Sequence, residues 1–299
     1  MGALQGENEL KAGQRLGQFE VTSYLSRGGV ATVYLGRDTE LDRQVVIKVL
    51  TSQATKDQEF VARFQREARI LARLQHPNIV QVYTASTQGD PKFLVIERLD
   101  GVSLDVVIEK RKRLPVELVV EIGLQAAAGL GAAHASQIVH RDVKPDNLVI
   151  TKQGFVKLID FGMGRDHSTD SCVTAIGDIL GTVHYMPPEQ ALGIKVDHRS
   201  DIYCLGATLY HATTGIPPFG DQPAAVILMK KCDEDPPTVR ELRADAPAAF
   251  SLLVEKMMAS TKEERYQDMA TAGQEMGKVR DGLPRKVAPS DLAALVEER

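Results

Sequence analysis

Asp142, Lys144 and Asn147 stand close together in the stretch His140-Arg141-Asp142-Val143-Lys144-Pro145-Asp146-Asn147, and Asp160-Phe161-Gly162 follows after one strand-turn-strand's worth of chain. These side chains supply two carboxylates, a cation and a carboxamide oxygen. Moving a terminal phosphoryl group needs those parts: one carboxylate to orient the attacking hydroxyl, a cation to follow the migrating charge, and two oxygen-bearing side chains to hold a divalent metal. Asp142, Lys144, Asn147 and Asp160 match them in that order. A lone Asp-Phe-Gly or His-Arg-Asp is common as a solvated turn, so the weight of the reading rests on what surrounds them.

The groups need a frame. From Phe19 to Ile96 the β-branched and aromatic runs Phe19-Glu20-Val21-Thr22, Ala31-Thr32-Val33-Tyr34-Leu35 and Val45-Val46-Ile47-Lys48-Val49 predict strands around the Gly28-Gly29 turn. Phe60, Phe64, Ala68, Leu71 and Leu74 recur at helical spacing, and Glu67 lies on the same stripe. A carboxylate on a core-facing side wants a cation. Lys48 on the third strand is the candidate, with a surface pairing to Arg63 as the alternative. From about Ser103 the pattern changes to long helical periodicities. Pro115 opens a helix whose small residues, Ala126 to Ala133, permit close packing. Asp201 to Thr214 reads as a buried helix stopped by Gly215-Ile216-Pro217-Pro218-Phe219. Beyond Gly282, Pro284 and Pro289 precede a helix capped by Ser290 and running to Arg299.

With 299 residues, 43% of them hydrophobic, the chain can bury a full core and accommodates one smaller and one larger lobe. A net charge of -4 argues against a nucleic-acid partner. The run Lys110-Arg111-Lys112-Arg113 reads as the solvated end of a surface helix in preference to a phosphate-binding patch. Cys172, Cys204 and Cys232 are scattered and without metal-ligand spacing, which suits a reducing compartment. No signal-like segment follows Met1, and the Ala-rich run from Val116 to Ala135 is interrupted by Glu117, Glu121 and Gln125, so no membrane segment is expected. Gly6 stands where a myristoylation motif after Met1-Gly2 requires Ser or Thr.

Taken in order, Gly28-Gly29, Lys48, Glu67, the His140 loop, Asp160-Phe161-Gly162 and Pro188-Glu189 form a series that resembles the protein kinase superfamily. Lys144, two places after Asp142, looks like the serine/threonine branch. Gly181-Thr182-Val183-His184-Tyr185-Met186-Pro187-Pro188-Glu189-Gln190 and Asp197-His198-Arg199-Ser200-Asp201-Ile202-Tyr203 look most like bacterial eukaryotic-like Ser/Thr kinases. The resemblance covers roughly Phe19 to Asp281. It implies an α+β, bilobal protein kinase fold: an extension (1–18), a small antiparallel β-sheet lobe with one key helix (19–98), a larger mainly helical lobe (99–281) and a C-terminal tail (282–299).

What the resemblance further implies is an ATP-dependent enzyme using Mg2+, with Mn2+ as an alternative, on Ser or Thr hydroxyls of protein substrates. Asp142 would orient the hydroxyl and accept its proton, Lys144 would follow the phosphate, and Asn147 and Asp160 would hold the metal. The Lys48–Glu67 pair would position the α- and β-phosphates. Leu25, Ser26, Arg27, Gly28, Gly29, Val30, Ala31, Thr32 and Val33 would cover the nucleotide. Ser26 and Ala31 replace two glycines of the usual loop, and Val46 adds bulk over the adenine site. Ile96 would be the gatekeeper, Glu97 to Leu99 the hinge, and Val149 and Ile159 neighbours of the ring. His140, Phe161, His76 and His134 are expected to be structural, as is a pairing of Arg265 with Glu189. The segment from Gly181 to Glu189 would accept the substrate. Arg141 places a cation directly before Asp142 and wants an anion, which phosphorylation at Thr174, or secondarily Ser171 or Thr169, would supply through transient self-association and transfer in trans. A cytoplasmic location is expected, free or as part of a longer membrane protein. The competing readings are a nucleotide-binding pseudokinase or scaffold, and a kinase-fold enzyme acting on small molecules.

Overall fold

In a computed structural model that describes residues 10–86, 89–161 and 183–297, the runs read as strands form a six-stranded antiparallel sheet ordered β1-β2-β3-β4-β6-β5. The strands are β1 (Arg15–Leu16), β2 (Phe19–Arg27), β3 (Ala31–Asp38), β4 (Arg43–Leu50), β5 (Val82–Ser86) and β6 (Phe93–Glu97). In β4, Val45, Ile47 and Val49 are buried in a cluster with Tyr34, Phe93 and Val95. The two-residue period of a strand turns Val46 and Lys48 to the opposite face. Register decides their neighbours: Val46 lies across from Leu35 and Ile96, and Lys48 across from Val33 and Leu94. Arg15–Leu16, expected within an extension, pairs with β2 because Leu16 has a place in this core and Leu10 packs against it.

Helix α1 (Ser52–Lys56) is short; α2 (Gln58–Leu71) starts at Asp57, whose carboxylate accepts from the Glu59 and Phe60 N–H groups at 2.9 and 3.0 Å. It buries Phe60, Phe64, Ala68 and Leu71, leaving Glu67 half-buried, and ends before Leu74.

The first compact unit comprises the described residues up to Gln75 together with those of Val80–Leu99; the second takes His76–Ile79 and the described residues from Asp100 onward. The second unit contains the small antiparallel sheet β7 (Gly101–Ser103), β8 (Leu148–Thr151) and β9 (Val156–Leu158), and the helices α3 (Leu104–Arg111), α4 (Val116–Ala135), α5 (Pro188–Ala191), α6 (His198–Thr214), α7 (Ala224–Asp233), α8 (Val239–Leu242), α9 (Ala248–Met257), α10 (Met269–Asp281) and α11 (Pro289–Glu297). By length and composition α4 could cross a membrane, but it packs against α6 and α10 as a core helix. Asn78 reaches into this unit. Its side-chain amide donates to Val156 O at 2.8 Å and Gln125 Oε1 at 3.1 Å, and its carbonyl accepts from Leu158 N at 2.9 Å. A Cβ at Gly129 of α4 would stand 2.8 Å from that same carbonyl, so glycine is what allows the approach.

Helix α6 begins at Asp197, which caps the Arg199 N–H, and stops at Gly215 with φ +77°, where a Cβ would meet the Lys112 carbonyl at 2.4 Å. The tail helix α11 docks on β8 with Leu292, Leu295 and Val296 buried. It starts at Pro289, one residue before the expected cap Ser290. Asp291, in the first turn, ties the entering chain to the helix, its carboxylate accepting from Ala288 N at 2.8 Å.

Candidate active site

In the second unit the segment His140–Asn147 is organised from below by one carboxylate. Asp201, fully buried in the first turn of α6, accepts the His140 N–H at Oδ2 and the Arg141 N–H at Oδ1, each at 2.8 Å, and His134 Nε2 at 2.7 Å. Arg141 has φ +64°, a region that costs a residue with a Cβ about 1–3 kcal/mol. The Asp201 bond to its N–H is one of the contacts that hold it there. In the sequence Asp201 is marked only as an acid at the head of a helix that reads as buried.

His140 is a structural residue. Its Nε2 donates to Ile159 O at 2.9 Å, which leaves Nδ1 to accept the Asp142 N–H at 3.3 Å, and its ring lies 4.4 Å from that of Phe161. One neutral tautomer satisfies both bonds, and complete burial holds the imidazole below its usual pKa against the pull of Asp201 and Asp142. His134 is likewise absorbed by Asp201, and His76 by the Asn78 N–H.

Asp142, Lys144 and Asn147 are brought together. Asn147 Nδ2 donates to the Asp142 carbonyl at 2.7 Å and to its Oδ2 at 3.1 Å, while Lys144 Nζ lies 3.5 Å from the same Oδ2. The Ile159 N–H donates to Asn147 O at 3.0 Å, which sets Asp160 one residue beyond a main-chain tie to Asn147. Asp160 itself has φ +56°. Because the Asn147 amide hydrogens turn to Asp142, its carboxamide oxygen is the atom left to join the Asp160 carboxylate as a hard oxygen donor. A set of two such side chains suits Mg2+, which takes few protein ligands and completes its shell with water and phosphate. Among the described residues no cluster of three or more His, Cys, Asp or Glu has metal-binding geometry.

In the first unit, Ser26, Val33, Val46, Lys48 and Ile96 share one face of the sheet by register. Gly28–Val30 connect β2 and β3, and Thr51 holds this loop by bonds to Val30 O at 3.0 Å and Gly29 O at 3.4 Å. Leu25 and Val30 are exposed; Glu97 turns its carboxylate to the Gln81 N–H at 2.7 Å. Leu99 closes this unit, and Val149 lies on β8 of the other. Burial lowers the Lys48 amine to about 8. A cation that binds phosphate loses that capacity as pH rises through its pKa. We therefore expect ADP affinity to weaken about ten-fold from pH 7 to pH 9, the span over which an amine of pKa 8 empties. Lys48→Met should bind weakly at both values. Calorimetry checks this, and a flat profile for the unaltered chain would refute a phosphate contact by Lys48.

Farther along, Arg265 meets Glu189 through two 2.8 Å bonds, with both side chains buried and Ser200 Oγ adding a third at 2.6 Å. Burial opposes the Glu189 charge, yet the Arg265 bonds, the Arg265 charge and Ser200 together keep its carboxyl below the usual range. Thr169, Ser171, Thr174 and Thr182 lie outside the described residues, as does Gly162.

Comparison with known proteins returns the same signature. The family described as the protein kinase domain matches residues 19–275. The serine/threonine-protein kinase PknL of Mycobacterium tuberculosis is 36% identical over 291 residues, which is 94% of this chain and 73% of PknL. PknB of Mycobacterium leprae is 37% identical over 272 residues, 89% of this chain but 44% of PknB. A probable serine/threonine-protein kinase of Clostridium perfringens, CPE1738, is 34% identical over 250 residues, and the chain spans 36% of its length. The crystal structure of the PknI kinase domain of M. tuberculosis superimposes with a TM-score of 0.72 at 27% identity, covering 91% of this chain and 99% of that one.

Proposed function

Since this chain belongs to the protein kinase domain family, we propose that it transfers the γ-phosphate of ATP to Ser and Thr hydroxyls of proteins, with Mg2+ as the metal. The supporting observation is the Asp142 carboxylate, nearly buried and held by Asn147 and Lys144 at one of its two oxygens. Asp142 orients the substrate hydroxyl and takes its proton; Lys144 neutralises charge as the phosphoryl group leaves ADP. Asn147 and Asp160 would hold the metal, which would supply positive charge against the developing charge of the phosphates. Lys48, oriented by Glu67, binds the α- and β-phosphates. Ser26, Val33, Val46, Ile96, the Glu97–Leu99 main chain and Val149 contact the nucleotide. Thr174 is the favoured site of self-phosphorylation in trans, with Arg141 as its cationic partner and Ser171 and Thr169 as secondary sites.

Incubation with labelled ATP and Mg2+, with a generic basic protein as acceptor, followed by phosphoamino-acid analysis tests the reading. Phosphoserine and phosphothreonine on the acceptor are expected, with Thr174→Ala reducing label on the chain itself. Nucleotide binding without transfer would replace the proposal with a scaffold.

A further inference from the structure

Lys231, on α7 of the second unit, is 2% exposed. Its amine donates to the His184 carbonyl at 3.0 Å and to the Tyr203 hydroxyl at 3.2 Å, and stands 5.1 Å from the ring centroids of both Tyr203 and Phe219. The charged or titratable groups that act on it are the Cys204 thiol and the Arg265 guanidinium; no carboxylate forms an ion pair with it among the described residues. Burial without a counter-charge brings the amine down to about 7. An apolar side chain would fill this space at lower cost. What it would not supply is a donor to His184.

His184 is the middle residue of a stretch held at three successive positions. Val183 is fully buried with Phe219 and Ile227, and Ala224 and Leu228 pack around them. Tyr185 donates its hydroxyl to His211 Nδ1 at 2.7 Å, and burial keeps that imidazole neutral by lowering it to about 4. The side chains on either side are thus fixed by packing and by a neutral hydrogen bond. Between them, Lys231 is the side chain that bonds the main chain among the described residues.

We propose that Lys231 is a positioning residue for protein-substrate binding, fixing the backbone of Val183–Tyr185 on which the acceptor polypeptide is seated. This rests on the kinase reading above, in which residues 181–189 accept the substrate. The action is on the binding surface for the acceptor and leaves the nucleotide and metal groups alone.

Steady-state kinetics on the 299-residue chain, varying ATP and a generic basic protein separately, tests the assignment. Lys231→Met keeps the stem and removes the donor. It should raise KM for the protein about ten-fold, the loss of one buried hydrogen bond, with KM for ATP and kcat changing by less than about two-fold. Lys231→Gln retains an N–H donor and should fall between Lys231→Met and the parent. An unchanged protein KM in folded Lys231→Met, or a loss in kcat alone, would overturn the proposal. So would failure of both variants to fold, since Lys231 would then serve stability. A parent chain that phosphorylates no protein overturns the kinase reading and this inference together, whereas an active parent with an unmoved KM overturns this inference alone.

Discussion

Exchanging Asp142 or Asp160 for Asn will leave a protein that melts within a few degrees of the parent and transfers no phosphate above background. In the proposed roles the two groups act by their charge on hydroxyl and metal, and neither belongs to the apolar core. Asp142 is 7% exposed and already shares Oδ2 with Asn147 and Lys144. An amide of the same shape fits that space but accepts no proton from a hydroxyl, a loss of about 10^2–10^4 in kcat. At Asp160 the amide is a poorer metal ligand than the carboxylate. Label incorporation measured beside thermal melting checks both, and activity within ten-fold of the parent in either variant would refute its role.

The second large effect falls on a residue that touches no reactant. Asp201→Ala removes the acceptor for the His140 and Arg141 N–H groups and for His134 Nε2 in a single step. Each buried donor left without a partner costs about 1–3 kcal/mol, so a loss of roughly 3–9 kcal/mol is expected for the three. The melting temperature should fall by on the order of 10 °C. Turnover should fall further than stability accounts for, because Arg141 loses a contact that holds it in the left-handed region, and Asp142 follows directly after it. Asp201→Asn keeps one acceptor oxygen and should lie between. Calorimetric melting and kcat at a temperature where both proteins are folded decide the matter; a parent-like melt for Asp201→Ala would show that the three bonds are not limiting.

How legible these arrangements are from sequence depends on which physical signal they leave. Ala31–Leu35 and Val45–Val49 are β-branched and aromatic runs, so their strands are legible, whereas the face shared by Val33, Val46 and Lys48 follows from the cross-strand register that only the fold supplies. The catalytic groups are legible because their chemistry demands particular side chains at short intervals. Asp201 and Lys231 leave no such mark: both are charged residues buried at their helix positions, and their partners are main-chain groups 60 and 47 residues away in sequence. Arg15–Leu16 is too short for any periodicity, and its strand exists because β2 offers it an edge. Ser290 stands inside the helix and not at its cap, because Pro289 before it is favoured at a first helical position. Asn78 is legible only as part of a loop, although it is spent on the interior of the second unit.

That last residue bears on how the protein can be divided and on the order in which it acquires structure. A fragment beginning at Asp100 would contain Asp142, Lys144, Asn147 and Asp160, yet it would lack the carboxamide that satisfies Val156 O and the carbonyl that pairs with Leu158. No single cut therefore releases the larger unit intact. During synthesis Asn78 emerges long before its partner, and the bond between Asn78 and Val156 closes a loop of 78 residues. Such closures are entropically slow compared with helix formation. The small sheet that carries Val156 is consequently expected to consolidate late, after α4 has formed and the segment with Asn78 has packed against it.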